Sequence, residues 1–215
     1  MSLSEAKLSD LPPDAVKLSK QDAIIHQLKI MKSWKNKRDT FIFQYGGTFL
    51  GCISAGVGIF LNNHFRRKYK LYDYGRLSSY LPIVVLPAAL SLLFHTQFVT
   101  TEVTLPNICA TCMETRASAI QAMTGCVLPL ILAPLSSIPL AMQYHTYDVP
   151  FITKEPMKVL KLVQKQTKPI ANILTAIFLG QAMIAAVVTY YEMKSVHKVQ
   201  TKLAKLEFDL EHNQV

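Results

Sequence analysis

Charged side chains are missing from four long stretches of this chain. The four runs that contain no Asp, Glu, Lys or Arg are residues 41–61, 77–101, 117–147 and 170–191. A helix needs about 20 apolar residues to cross a hydrocarbon core of roughly 30 Å, and each run reaches that length. This pattern excludes a water-soluble globule and indicates a protein whose helices cross a bilayer several times.

Acidic residues are also scarce, since the 215-residue chain has 14 Asp and Glu against 23 Lys and Arg, for a formal net charge of +9. The basic residues crowd the ends of the uncharged runs, where they meet anionic lipid headgroups. The sequence has neither a basic patch interleaved with aromatic residues nor a recognisable nucleic-acid-binding module. We therefore expect membrane lipids as partners and no nucleic acid.

Cysteine is too rare for a disulfide framework of the secreted type. Two of the four cysteines, Cys109 and Cys112, are separated by two residues between the second and third runs. Such a pair can form a structural or reactive disulfide, or supply half of a zinc site, and it can also be two unremarkable thiols. Because no second ligand pair follows, we favour a structural or incidental role and expect no metal.

Motifs of catalysis and targeting are missing as well. The sequence has no phosphate-binding glycine loop, HExxH, GxSxG or paired-carboxylate pattern, so we expect no catalytic residue and no cofactor. Residues 1–16 carry three acids and lack an apolar core. They resemble neither a cleavable signal peptide nor a mitochondrial presequence. Targeting is therefore expected to come from the internal apolar segments.

The fold predicted from these runs is an all-α, polytopic membrane protein with four transmembrane helices. We place the spans at about residues 41–61, 78–100, 117–143 and 170–191, within a membrane domain of residues 41–191. Residues 1–40 form a polar segment with a basic amphipathic helix, and residues 192–215 form an amphipathic C-terminal helix. Three prolines, at 129, 134 and 139, predict a third span that is helical over residues 117–131 and then bends.

Two apolar patterns are candidate helix-packing surfaces. Gly47, Gly51 and Ala55 recur every four residues in the first span, which allows close backbone approach to a helix of this chain or of a partner. The second pattern, with spacings of 3 and 4, consists of Val196, Val199, Leu203, Leu206 and Leu210. Such an a/d pattern predicts packing against a partner helix or against the N-terminal helix of the same chain.

Arg66, Arg67 and Lys68 follow the first span and lie among tyrosines. Lysine and arginine beside tyrosine at the end of a span are typical anchors in the headgroup region. We predict these three side chains to be interfacial. His95, near the end of the second run, is expected to be a hydrogen-bonded residue near the interface.

Three short elements resemble the transmembrane protein 126 family. They are residues 62–67 (Asn-Asn-His-Phe-Arg-Arg), residues 109–116 (Cys-Ala-Thr-Cys-Met-Glu-Thr-Arg) and residues 144–146 (Tyr-His-Thr), the last followed by Pro150 and Lys154. Their order and the four-span layout also resemble the family from about residue 20 to residue 191. The elements mix traits of the A-type and B-type members, and residues 153–157 depart from the family pattern.

The resemblance implies a multi-pass protein of the mitochondrial inner membrane with a non-catalytic role in assembling respiratory complex I. Membrane-arm subunits and other assembly factors are the partners that it implies. Two alternatives remain open from the residues themselves. One is a membrane thiol oxidoreductase using Cys109 and Cys112, and the other is a small transporter or channel. The lack of charge in the four runs argues against transport, because buried ionisable groups mark transport paths.

Overall fold

The computed structural model describes residues 19–105, 108–150 and 155–212, and all its regular elements in these ranges are helical. The predicted N-terminal segment and the final residues lie partly outside these ranges, as do residues 153 and 154 of the 153–157 departure. We number six helices: α1, Lys20–Ser33; α2, Lys37–Lys68; α3, Arg76–Val103; α4, Ala110–Gln143; α5, Pro156–Thr167; and α6, Ala171–His212.

Four helical stretches are long and apolar enough to cross a membrane, which confirms the predicted fold class. They are α2, α3, α4 and the continuous helical stretch Pro156–Leu210, which contains α5 and most of α6. A short 3-10 turn, Lys168–Ile170, joins α5 to α6, and Pro169 lies within it. The four spans predicted from the sequence lie inside these four stretches.

The helices α3 and α4 are not regular throughout. In α3 the π-helical turns are Leu81–Val85 and Thr96–Thr100, and in α4 the π-helical turn is Met123–Val127. Two of the three turns end two residues before a proline, Pro87 or Pro129. Proline lacks an amide donor and its ring collides with the carbonyl four residues earlier, so a wider turn upstream accommodates it.

The third span was predicted to bend after Ile131, and α4 has no break in its helical assignment there. The helix continues to Gln143 with Pro134 and Pro139 inside it, and its irregular turn comes earlier, at Met123–Val127. In a bundle, neighbouring helices support the backbone around a proline and allow the helix to continue. The irregular turn of α4 therefore lies upstream of the first of the three prolines, and the helix continues past the other two.

Two apolar clusters lie at opposite ends of the bundle. One contains Leu61 and Phe65 near the C-terminal end of α2, Tyr69 directly after that helix, and Ala133 and Ile138 of α4. The other contains, among its members, Met31 of α1, Phe43 and Leu50 of α2, and Val196 and Val199 of α6. The second cluster therefore attaches α1 to the membrane bundle. It also attaches the first part of the C-terminal extension, which is the part of α6 after the fourth predicted span, residues 192–212.

Candidate functional site

A layer of buried polar side chains lies between these clusters, and Gln121 of α4 is its centre. The Gln121 amide nitrogen lies 2.7 Å from Oε1 of Gln181, 3.0 Å from Oγ of Ser54 and 3.1 Å from the Leu50 carbonyl oxygen. The Ser91 hydroxyl donates to the Gln121 Oε1 at 2.6 Å. These contacts join α2, α3, α4 and α6, so the layer specifies which helix faces meet.

An ionisable pair is buried near one end of this layer. Nε2 of His95 lies 3.1 Å from Oε1 of Glu192, and the two side chains are 1% and 0% exposed. The Thr100 hydroxyl donates to the other carboxylate oxygen at 3.5 Å. Among the described residues, Nδ1 of His95 has no hydrogen-bond partner. The side-chain hydrogen bonding of this histidine therefore depends on Glu192.

This pair corrects two expectations from the sequence. His95 is buried inside the bundle and is not an interfacial residue, and the bundle encloses an acid although none of its four runs contains one. Glu192 directly follows the fourth run and is brought inside because Gly46 leaves room for it. A Cβ at Gly46 would lie 2.6 Å from Oε1 of Glu192 and 2.8 Å from a methyl group of Val188.

The small-residue face of α2 packs against α3 of the same chain. A Cβ at Gly47 would lie 3.2 Å from Leu92, and a Cβ at Gly51 would lie 3.1 Å from the Ala88 carbonyl oxygen. Gly58 is closer still, with 2.4 Å between a built Cβ and the Ile83 carbonyl oxygen. Contact within the chain, one of the two predicted alternatives, therefore occupies the inner side of this face.

The outer side of the same face remains open. A groove of ≈ 360 Å³ runs between α2 and α3. Its walls are almost entirely apolar, and they include Thr48, Gly51, Cys52, Ala55 and Ala89. Thr48, Cys52 and Ala89 are exposed. The groove thus presents small side chains to the bilayer, which is the surface that close helix contacts require.

The C-terminal a/d pattern divides into two parts. Val196 and Val199 are 4% and 1% exposed and belong to the cluster of Met31, against which Leu203 also packs. Leu206 and Leu210 are 54% and 62% exposed. The first part of the pattern is therefore used within the chain, and the second part projects without an apolar partner in the described structure.

Ion pairs hold this extension to the start of α2. Asp39 pairs with Lys198, at 2.8 Å from its Nζ, and with Lys202. The Asp39 side chain is only 4% exposed, whereas the two lysines are about half exposed. An acid in the first turn of α2 also interacts favourably with the helix dipole. The extension is thereby oriented by charge as well as by apolar contact.

Arg66 is buried, which differs from the prediction that Arg66, Arg67 and Lys68 are all interfacial. It is 4% exposed, and its guanidinium donates to the carbonyl oxygens of Tyr72 at 2.6 Å and Tyr74 at 2.9 Å, and to the Ser79 hydroxyl at 2.8 Å. This arginine closes the loop between α2 and α3, while Arg67 and Lys68 are exposed. Planar guanidinium geometry suits several oxygens at once, which explains arginine at this position.

The family-like element of residues 144–146 packs against this loop. The Thr146 hydroxyl donates to the Tyr69 carbonyl oxygen at 3.0 Å, and the rings of Tyr74 and Tyr144 stack with centroids 4.9 Å apart. Burial raises the pKa of Tyr69 to about 12. The loops after α2 and α4 therefore form one packed cap at this end of the bundle.

Cys109 and Cys112 lie together at the N-terminus of α4. Both are exposed free thiols, and the Cys112 thiol donates to Sγ of Cys109 at 2.6 Å. This hydrogen bond, with those from the backbone N–H groups of Cys112 and Thr111, lowers the pKa of Cys109 below its usual value. Within the described ranges no three His, Cys, Asp or Glu side chains group as a metal ion would need.

The family model of Transmembrane protein 126 matches residues 22–206, a region that includes the four predicted spans and the buried pair.

The chain belongs to the transmembrane protein 126 family.

Among curated members of this family, Transmembrane protein 126 of Drosophila melanogaster is 36% identical over 213 residues, which cover 98% of this chain and 96% of that protein. Transmembrane protein 126A of Mus musculus is 27% identical over 133 residues, or 61% of this chain and 67% of that protein. Transmembrane protein 126A of Rattus norvegicus is 28% identical over 113 residues, or 52% of this chain and 57% of that protein. No solved structure matches the chain.

Sequence reasoning missed three features of this member of the transmembrane protein 126 family. Gln121 and Gln181 are glutamines inside the third and fourth uncharged runs, and their amide groups within apolar sequence were the available signal for the polar layer. Gly46 beside Gly47 signalled a close approach on a second side of α2. For Glu192 the only signal was its place directly after Tyr191, at the end of an uncharged run.

Proposed function

We propose that this protein is a non-catalytic scaffold of the mitochondrial inner membrane that helps to assemble the membrane arm of respiratory complex I. The observation that carries the proposal is that the described part of the bundle leaves apolar surfaces unused by its own fold, two of which suit a partner helix. Membership of the transmembrane protein 126 family supports the location and the partners through the resemblance described above. Complex I membrane-arm subunits and other assembly factors are the proposed partners.

The first surface is the α2–α3 groove around Gly51, Cys52 and Ala55. Helix association in a bilayer depends on close van der Waals contact, since lipid tails are as apolar as leucine. Exposed small residues beside a groove permit that contact better than a smooth wall of large side chains. A single partner helix laid along this groove would bury residues that now face lipid.

The second surface is the exposed end of α6, with Leu206 and Leu210 on one helix face. This end follows the part of the helix that is attached to Met31 and Asp39, so it is held at a defined position relative to the bundle. Two leucines at a spacing of four form an anchor for a partner helix. The surface lies beyond the fourth predicted span and is proposed to recruit the extramembrane part of a partner.

Affinity purification of the tagged full-length protein from mitochondrial membranes, followed by mass spectrometry, tests the proposal. We expect complex I membrane-arm subunits among the enriched proteins. Cys52→Trp, which fills the groove, is expected to reduce their recovery about tenfold, as loss of a central anchor does at an interface. Gly56→Trp is the matched control, because a Cβ at Gly56 meets nothing within 4 Å and Gly56 does not line the groove.

The C-terminal surface has its own pair of variants. Leu206→Gln with Leu210→Gln should reduce recovery, and Lys205→Gln on an exposed position of the same helix should not. Normal recovery with both Cys52→Trp and the double leucine variant would rule out these surfaces as docking sites. Failure to enrich any complex I subunit with the unmodified protein would contradict the scaffold itself.

The thiol pair supports a second candidate function, a membrane thiol oxidoreductase. In such a reaction Cys109 and Cys112 would lose two protons and two electrons to a quinone and form one disulfide. The lowered pKa of Cys109 at a helix N-terminus favours the thiolate that this chemistry uses. Cys112→Ser tests it: if complex I assembly is unchanged in cells that carry only this variant, the oxidoreductase proposal is wrong.

The buried pair bears on the third alternative, transport. An enclosed acid removes the reason that the uncharged runs gave against a transporter. His95 and Glu192 nevertheless bond to each other and are almost completely inaccessible. This geometry supports a contact that fixes α3 against α6, which is what a scaffold needs to present its surfaces in a constant arrangement.

A further inference from the structure

A second groove, apart from the two proposed docking surfaces, lies between α4 and the short helix α5. It has a volume of ≈ 670 Å³, which falls within the range of about 300–1,000 Å³ that ligand clefts occupy. Its walls are mainly apolar, and they include Ile131 and Leu135 of α4 and Leu160 of α5. These three side chains are 51%, 62% and 61% exposed. The groove is therefore formed but not filled by the protein.

The helix α5 uses only part of its apolar surface within the fold. Val159, Leu162 and Val163 pack against the buried cluster at this end of the bundle. Met157 and Leu160 remain exposed. A side chain of α2 fixes the C-terminal end of α5, where Nε2 of His64 lies 3.1 Å from the Gln166 carbonyl oxygen. The unfilled space thus belongs to a helix that is attached to the bundle.

A basic cavity adjoins this apolar groove. It has a volume of ≈ 630 Å³ and is lined by Lys161, Lys165 and Lys168. Gln164 and Thr167 line both cavities, so the basic and apolar spaces are contiguous. In the part of the chain that the structure describes, no ion pair involves any of these three lysines.

The charge around the two cavities is of one sign. Residues 156–171 contain four lysines and no acid, and only Lys158 has an acidic partner, Glu155. The depth of the site agrees with a lipid headgroup, because Gln166 contacts His64, which lies three residues beyond the first predicted span. Exposed Arg67 and Lys68 of α2 follow shortly after His64 along the same helix end. Uncompensated lysines at headgroup depth attract anionic lipids.

From this juxtaposition we infer that the α4–α5 groove binds an anionic phospholipid. An acyl chain lies along Ile131, Leu135 and Leu160, and the phosphate is held by Lys161, Lys165 and Lys168. A partner helix would supply apolar contact but would leave the three lysines without counter-charge. One phospholipid can occupy both cavities, with its phosphate in the basic cavity and an acyl chain in the apolar groove, because the two parts are covalently joined.

Native mass spectrometry of the full-length protein in detergent, titrated with dioleoylphosphatidylglycerol, tests the inference. Dioleoylphosphatidylcholine has the same chains without net charge, and inorganic phosphate has the charge without chains. We expect one phosphatidylglycerol to bind at least about tenfold more tightly than phosphatidylcholine, because each lysine near an anionic lipid contributes roughly a factor of five. Inorganic phosphate is expected neither to bind measurably nor to displace the lipid.

Two kinds of variant locate the lipid. Replacing Lys161, Lys165 and Lys168 by Gln should weaken phosphatidylglycerol binding about 100-fold on the same scale. The matched control replaces three exposed lysines by Gln, Lys29 and Lys32 of α1 and Lys35 just after it, and should change the affinity less than about twofold. Ile131→Trp should reduce the affinity of both lipids by filling the groove. Leu135→Trp serves the same purpose if the first tryptophan variant does not fold.

Equal affinity for the two lipids would overturn the inference, and so would an equal loss in both triple-lysine variants, which would indicate a general effect of surface charge. Phosphate binding that persists in the tryptophan variant would mean that the site takes a free anion and not a lipid. None of these results depends on complex I, so failure of the lipid site would leave the scaffold proposal intact.

Discussion

Gly46→Ala is the substitution that tests the buried pair most directly. The added methyl would lie 2.6 Å from Oε1 of Glu192, the same oxygen that faces Nε2 of His95, and 2.8 Å from Val188. A Cβ atom essentially never lies within 3.0 Å of a heavy atom of another residue, so either the Glu192 carboxylate or the helix must move. Either movement disturbs the side-chain hydrogen bond of His95, and its Nδ1 has no partner to replace it among the described residues.

The size of the effect follows from three opposing contributions. Overpacking costs about 1–3 kcal/mol, and loss of a hydrogen bond between membrane helices costs about 1–2 kcal/mol. Alanine is favoured over glycine in a helix by about 1 kcal/mol, which offsets part of the loss. We expect Gly46→Ala to lower the free energy of unfolding by about 1–4 kcal/mol.

Gly56→Ala is the matched control, because it makes the same chemical change on the same helix and a Cβ there meets nothing within 4 Å. Its free energy of unfolding should be unchanged or higher by up to about 1 kcal/mol. Both values can be measured by reversible unfolding of the purified protein in mixed micelles, followed by helical circular dichroism. Equal stability of the two variants would refute the assignment of Gly46 as the residue that makes room for Glu192.

Three further predictions concern the loops and the extension. Arg66→Met should destabilise the protein by about 2–4 kcal/mol, because the buried Ser79 hydroxyl and the carbonyl oxygens of Tyr72 and Tyr74 lose their donor, whereas Arg67→Met should cost less than about 0.5 kcal/mol in the same unfolding assay. Asp39→Asn should loosen the C-terminal extension only slightly, because its lysine partners are half exposed and screened; unchanged hydrogen exchange over residues 196–206 would contradict this. Iodoacetamide at neutral pH should modify Cys109 several-fold faster than Cys52, because only the thiolate reacts and the lowered pKa of Cys109 favours its thiolate. Peptide mass spectrometry measures the two rates.

The docking surfaces show how far local spacing can be interpreted. The four-residue repeat of Gly47, Gly51 and Ala55 predicts close helix contact, and close contact with α3 is present. The spacing could not identify that neighbour, since any helix surface with matching shape would serve. Likewise the pattern from Val196 to Leu210 is one continuous face in the sequence. Only the position of the α1–α2 region divides it into a buried part and an exposed part.

Arg66 and Glu192 show the limit for charged residues. From the sequence, arginine after a span is an interfacial anchor, and this expectation is reasonable for the exposed Arg67 and Lys68. Arg66 differs because the loop turns back and surrounds it with carbonyl oxygens, a geometry that depends on backbone torsions of residues 70–75. Glu192 differs because a glycine on another helix leaves space for its carboxylate.

The sequence by itself determined that this protein is a four-span helical membrane protein of the transmembrane protein 126 family. The physical reason is that the energy of placing charges in hydrocarbon is large, and therefore charge-free runs of sufficient length identify the spans without knowledge of their neighbours. The tertiary structure alone decided what the spans enclose: the Gln121 layer, the His95–Glu192 pair and the groove beside α5. These features depend on distances of a few ångströms between helices that are distant in the chain, and local periodicity contains no information about such distances.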